Sequence, residues 1–141
     1  MARAYEGTQV PVGKSAEGIR TLLRKADGEK IVVGETMDDH LAVEWTHSSI
    51  RYRVELPTSN DITDAEERRQ WRIMYWAIKS KIESVDSGME TYEVAFMGQI
   101  VDPASGRTLT KVIVPMVEAG VFDMSGQGLR ALPAYTGSGD A

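Results

Sequence analysis

The chain contains no cysteine in 141 residues. That excludes a disulfide scaffold, thiolate zinc sites and cysteine nucleophiles. It has only two histidines, which leaves little for a metal site, and neither metal nor cofactor is expected. No apolar run approaches the ~18 residues of a membrane span, and no signal-type hydrophobic segment precedes the body. Nor is there an excess of basic residues: 16 Lys and Arg face 21 Asp and Glu, a net charge of −5. A domain that grips DNA over its whole surface is normally basic. Any nucleic-acid site here must therefore be a local stripe. What is present is ordinary for a folded cytosolic domain: 42% hydrophobic and 26% charged residues. The length suits one domain with its own core.

Charge is uneven along the chain. Residues 1–30 carry +2, residues 31–60 carry −3, residues 61–83 are neutral and residues 84–141 carry −4. A solvated acidic surface is the plain reading of that balance.

The periodicities set an order of elements. Residues 1–14 read as an arm, with Val10-Pro11-Val12 as a short edge strand. Ser15 is placed to cap a helix over 15–27, with Ala16, Ile19, Leu22, Leu23 and Ala26 at helical spacing and Gly28 beyond its end. Ile31–Val33, Leu41–Trp45 and Ile50–Leu56 read as three strands; the last two alternate apolar and polar residues, with a turn over Thr46–Ser49. Thr63-Asp64-Ala65-Glu66 is a capping box. Behind it Trp71, Met74, Tyr75, Ile78, Ile82 and Val85 form one stripe, which predicts a long helix over 64–87, stopped by Gly88.

A short helix is expected over 91–100, capped by Thr91, with Val94, Ala95, Phe96 and Ile100 inward. Asp102–Gly106 is a turn. Thr108 then caps a helix carrying Leu109, Val112, Ile113, Met116 and Val117, interrupted by Pro115; an edge strand over Lys111–Val114 is the alternative. The predicted class is α+β: an N-terminal helix, a three-stranded antiparallel meander, a long helix packed on the sheet, short C-terminal helices, and a flexible tail. Residues 1–123 form the one domain and 124–141 the tail.

Few motifs carry chemistry. Gly13-Lys14-Ser15 before a helix resembles a phosphate loop, but five residues separate Gly7 from Gly13 where that loop has four. His40 and His47 stand over 20 Å apart on an extended strand at ~3.3 Å per residue, too far to share an ion. No carboxylate pair has a spacing for acid–base work, and no hydrolase, metalloprotease or dinucleotide motif occurs. A non-enzymatic role is expected.

The long helix holds the most informative feature. Its apolar stripe is complete without Ile73 and Trp76, which fall about 200° and 140° from Trp71 at 100° per residue, beside Arg69 and Arg72. One reading is a second packing layer, covered by the C-terminal helices. The other is a contact surface: a base-stacking platform with phosphate partners, or a protein interface, where Trp and Arg are enriched. Arg51 and Arg53 share the outer face of the last strand. Were that face to lie beside the long helix, Arg51, Arg53, Arg69 and Arg72 would form one stripe around Trp76, and screening over ~8–10 Å would hide distant acids.

Val12–Ser15 leading into Ile19-Arg20, Ile50–Pro57, Glu66–Arg72, Tyr75–Lys79, Glu90–Phe96, Ile100–Pro103 and Gly106–Thr108 together resemble a family of small uncharacterised proteins of actinobacterial bacteriophages. The resemblance covers most of residues 9–110. It implies the cytoplasm of an infected bacterium, and a setting among small phage factors of DNA metabolism or factors acting on host machinery. The helix, three strands and long helix also weakly resemble phage single-strand annealing proteins, by fold analogy alone. Two functions are carried forward. One is binding of single-stranded DNA through Arg51, Arg53, Arg69, Arg72 and Trp76. The other is binding of a host or phage protein, or self-assembly into a homo-oligomer, through Ile73 and Trp76. No membrane role is expected.

Overall fold

A proline, not a serine, starts the first helix. In the computed structural model, which describes residues 3–59, 61–121, 130–134 and 137, helix α1 spans Val12–Lys25 with Pro11 at its N-cap. Proline pre-sets φ near −65°, and here φ −60° and ψ 148° turn the Pro11 carbonyl to accept from the amides of Lys14 and Ser15. Val12 is thus helical and the edge strand over Val10–Val12 does not form. Ser15 is not a cap: it lies inside the first turns, fully buried. The helix ends in a Schellman turn, with the Gly28 amide donating to the Leu23 carbonyl at 2.7 Å and the Asp27 amide to Arg24 at 3.1 Å. The left-handed residue is Asp27 (φ 62°), not glycine. Gly28 is needed for another reason: a Cβ there would meet the Leu23 carbonyl oxygen at 2.8 Å.

Three antiparallel strands follow in the order β1 (Glu29–Glu35), β2 (His40–His47) and β3 (Ile50–Pro57). Register pairs Leu41 with Leu56, Val43 with Val54 and Trp45 with Tyr52. Because strand side chains alternate, those pairs share the inner face, while Ala42–Glu55, Glu44–Arg53 and Thr46–Arg51 share the outer one. The two-residue β2–β3 turn has Ser48 and Ser49 at φ 49° and 68°, the signs of a type I′ hairpin. The open side of β3 is partly occupied: the Val101 amide donates to the Arg51 carbonyl at 2.9 Å.

Helix α2 (Asp64–Asp86) begins as the capping box predicts, with Thr63 Oγ1 accepting from the Glu66 amide at 3.1 Å. At ~1.5 Å per residue its 23 residues reach about 35 Å. Its stripe of Trp71, Met74, Ile78 and Ile82 closes over the inner sheet face together with Ile19 and Leu23 of α1. Trp45, Tyr52 and Phe96, all fully buried, fill the centre, with Phe96 edge-on to Trp45 at 5.2 Å between ring centres. The architecture is α+β.

Helix α3 (Tyr92–Ala95) is one turn, capped by Thr91, and a 3-10 turn over Met97–Gln99 continues it. Its inward residues are Tyr92, Ala95 and Phe96. Val94, expected inward, is 51% exposed, because a single turn can bury only one narrow face.

Helix α4 spans Leu109–Glu118, so the strand alternative over Lys111–Val114 is not taken. Thr108 precedes it but its side chain makes no capping bond; it is buried and bridges to Val101. Pro115 has no amide for the Lys111 carbonyl, and the Arg107 guanidinium donates to that oxygen instead, at 3.1 Å. The tail expected over 124–141 lies for the most part outside the described residues; 130–134 are exposed without helix or strand. Among the described residues no helix is long and apolar enough to cross a membrane.

Candidate nucleic-acid interface

The sheet arginines are spoken for. On the outer face Arg51 Nε donates to Glu44 at 3.1 Å, and Arg53 reaches Glu44 at 2.8 Å, Glu55 at 3.4 Å and the Gly106 carbonyl at 3.0 Å. Glu55 also meets Lys111 Nζ at 2.6 Å. Burial alone would raise the Glu55 pKa, but Lys111 and Arg53 outweigh it and hold the carboxyl below its ordinary value. Arg53, Glu55 and Lys111, with His40 and Thr110, line a small cleft of about 190 Å³. It holds compensated charge: each cation already faces a carboxylate.

Arg69 is spoken for as well. Its Nε donates to the Ala4 carbonyl at 2.9 Å and its Nη1 to Glu66 at 2.8 Å. Arg3 reaches the same carboxylate at 3.1 Å, and Arg68 donates to the Thr8 carbonyl at 3.4 Å. Arg68 and Arg69 thus tie the N-terminal arm along the start of α2.

The four-arginine stripe therefore does not form. Arg51 and Arg53 face away from the layer to which α2 contributes, since Tyr52 between them is buried under α3 and its neighbours. Arg69 and Arg72 belong to α2, on the other side of the sheet. Strand alternation separates the two pairs.

Around Trp76 the arrangement is different. Trp76 is 36% exposed, so the C-terminal helices do not cover it, while Ile73 is half-buried outside the main core cluster. Tyr75 stands edge-on to it at 5.4 Å. The Arg72 guanidinium lies 4.4 Å over the Tyr75 ring and 5.6 Å from that of Trp76, and Lys79 Nζ lies 4.5 Å over Trp76. Spacings of three and four on a helix bring these side chains side by side, and ring quadrupoles attract cations. Tyr75 can lie down against α1 because residue 18 is glycine: a Cβ there would stand 2.9 Å from the ring.

The result is an open groove of about 490 Å³ between α1 and α2, lined by Lys14, Glu17, Gly18, Thr21, Arg72 and Tyr75. Among the described residues Arg72 and Lys14 have no carboxylate within salt-bridge range, whereas Lys79 meets Glu83 only at 3.9 Å. Helix α1 adds Arg20, Arg24 and Lys25, against the single acid Glu17, which pairs with both arginines at 3.3 and 3.4 Å. An acidic protein thus carries a locally basic surface along α1 and the groove, with two aromatic rings beside it, although α2 as a whole is charge-balanced.

The wheel had placed Trp76 and Arg72 outward. It missed Lys14, Tyr75 and Lys79. Tyr75, which the spacing assigns to the inner stripe, sits at that stripe's edge. The Arg72–Trp76 and Trp76–Lys79 spacings were the available signal. Among the described residues no three His, Asp or Glu side chains gather so as to hold a metal ion.

No family model matches the chain, and no curated protein or solved structure is significantly similar to it.

Proposed function

We propose that the protein is a non-enzymatic binder of single-stranded nucleic acid, working in the cytoplasm of a phage-infected bacterium, and that its site is the α1–α2 groove with Trp76. The observation that carries the reading is Arg72: a cation without a carboxylate partner among the described residues, lying on Tyr75 beside a half-exposed Trp76. Phosphates would meet Lys14, Arg72 and Lys79. Bases would stack on the open parts of Trp76 and Tyr75, at ~1–3 kcal/mol per base. The net charge of −5 does not oppose this. Acids on the far side of the sheet lie beyond the ~8–10 Å over which charge is felt at physiological salt.

The test is fluorescence anisotropy of a labelled oligonucleotide at low and moderate salt. Binding should weaken steeply with salt, because cations on phosphates release counterions. Arg72→Ala and Trp76→Ala should each weaken it several-fold, and Arg51→Ala should not. No binding at low salt rejects the reading. A protein partner on the Ile73/Trp76 face is the second reading, favoured by the Trp–Arg pairing itself. It predicts a contact that salt barely affects.

A further inference from the structure

Helix α4 is rich in large apolar side chains, yet none of its ten residues is buried. Ile113 (38%), Val114 (43%), Met116 (39%) and Val117 (49%) are open, as are Val121 (59%) and Met97 (53%) beside them. A helix this apolar normally lies inside something. At 100° per residue, Leu109, Ile113 and Val117 mark the middle of the stripe, with Met116 and Val114 flanking them. Lys111 and Glu118 fall off its edge, and Lys111 is turned to Glu55.

Among the described residues the helix is anchored by its first turns. Thr110 Oγ1 donates to the Gly98 carbonyl at 2.7 Å and Arg107 holds the Lys111 carbonyl. Between α4 and the 3-10 turn runs an apolar groove of about 500 Å³, lined by Met97, Gly98, Leu109, Thr110, Ile113 and Val114.

We infer that this face is a two-fold interface with a second copy of the chain, α4 lying antiparallel against α4. The stripe carries no formal charge, so it offers nothing to steer a charged partner, while apolar against apolar is self-complementary. The six open residues together expose roughly 500 Å² per copy, so two copies could bury on the order of 1,000 Å², the low end for specific association. A contact of this size is at the weak end, so the dimer is expected to be reversible. Side chains from one α4 enter the groove beside the other, at the ~8–10 Å axial distance of packed helices. This face is separate from the α1–α2 groove, so the inference stands without the nucleic-acid reading.

Sedimentation of the full chain over roughly 5 to 500 µM should show the mass rising from 15.6 kDa towards twice that value. High salt should leave the rise intact, because the contact is apolar. Val117→Glu and Ile113→Glu should each hold the chain at the monomer mass with an unchanged circular-dichroism spectrum. Should a glutamate disturb the fold, Val117→Thr should still weaken self-association several-fold. A monomer at every concentration, as expected if residues 122–141 or another protein cover α4, overturns the inference. So does a dimer indifferent to every one of these variants.

Discussion

Trp45 Nε1 donates to the Tyr92 hydroxyl at 2.7 Å, joining the middle of the sheet to α3 across 47 positions of sequence. Both residues are buried, and His47 stacks on the Tyr92 ring at 3.6 Å. Tyr52 lies beside them, fully buried, with no hydrogen-bond partner for its hydroxyl among the described residues. Two buried tyrosines should thus answer the same substitution differently. Tyr92→Phe leaves an indole N–H unpaired and should cost ~1–3 kcal/mol. Tyr52→Phe removes an unpaired hydroxyl and should be neutral or stabilising. Urea unfolding of the two variants, side by side, reads the difference.

The same tyrosine sets an alkaline limit. Burial, only partly offset by the bond from Trp45, pushes the Tyr92 pKa up to about 12 from 10. A raised pKa favours the neutral phenol in the folded state. Its contribution is whole below pH 10 and is lost as pH climbs through about 12. The parent should lose roughly 1–3 kcal/mol over that window, and Tyr92→Phe should lose less. Thermal midpoints between pH 9 and 11.5 measure this.

Glu55 sets an acid limit of opposite sign. Its pKa is lowered in the fold by Lys111 and Arg53, so its contribution is present above the ordinary carboxylate range and fades as pH falls below it. Glu55→Gln takes the carboxylate from Lys111, while Arg53 keeps Glu44 at 2.8 Å, and should cost about 1–3 kcal/mol at neutral pH. It should also flatten stability against pH on the acid side. An unchanged acid limb would show that another carboxylate governs it.

The β2–β3 turn is held by residues that dislike it. Ser48 and Ser49 both take positive φ, where Asn-Gly is preferred. Replacing the pair by Asn-Gly relieves that left-handed strain and should stabilise the fold by roughly 1 kcal/mol, with no change in binding. A lower thermal midpoint would show that one serine side chain holds the turn.

The arginines should sort by partner. Arg69→Ala should loosen the arm along α2, raising protease sensitivity of residues 3–11 while leaving the salt slope of oligonucleotide binding intact. Arg72→Ala should lower that slope by about one and leave protease sensitivity alone. If both variants behave alike, the distinction between a tied and a free guanidinium fails.

Period and punctuation were readable from the chain alone because they depend on neighbours a few residues away. The stripe of Trp71, Met74 and Ile78, the box from Thr63 to Glu66, and the alternation along β2 and β3 each follow from backbone repeat and local hydrogen bonding. Even the outward direction of Trp76 came from the wheel. Helix α1 began three residues early because Pro11, a stiff residue whose carbonyl accepts both first amides, outcompeted Ser15. What tertiary structure decided was which cations remain free. Arg51, Arg53 and Arg69 are held by Glu44, Glu55 and the Ala4 carbonyl, partners set by strand register and by contacts between distant segments. Among the described residues Arg72 meets only aromatic rings. Likewise, nothing local tells that the apolar α4 docks by its first turns and, among the described residues, leaves its stripe open; that is set by contacts with the distant 3-10 turn and β3.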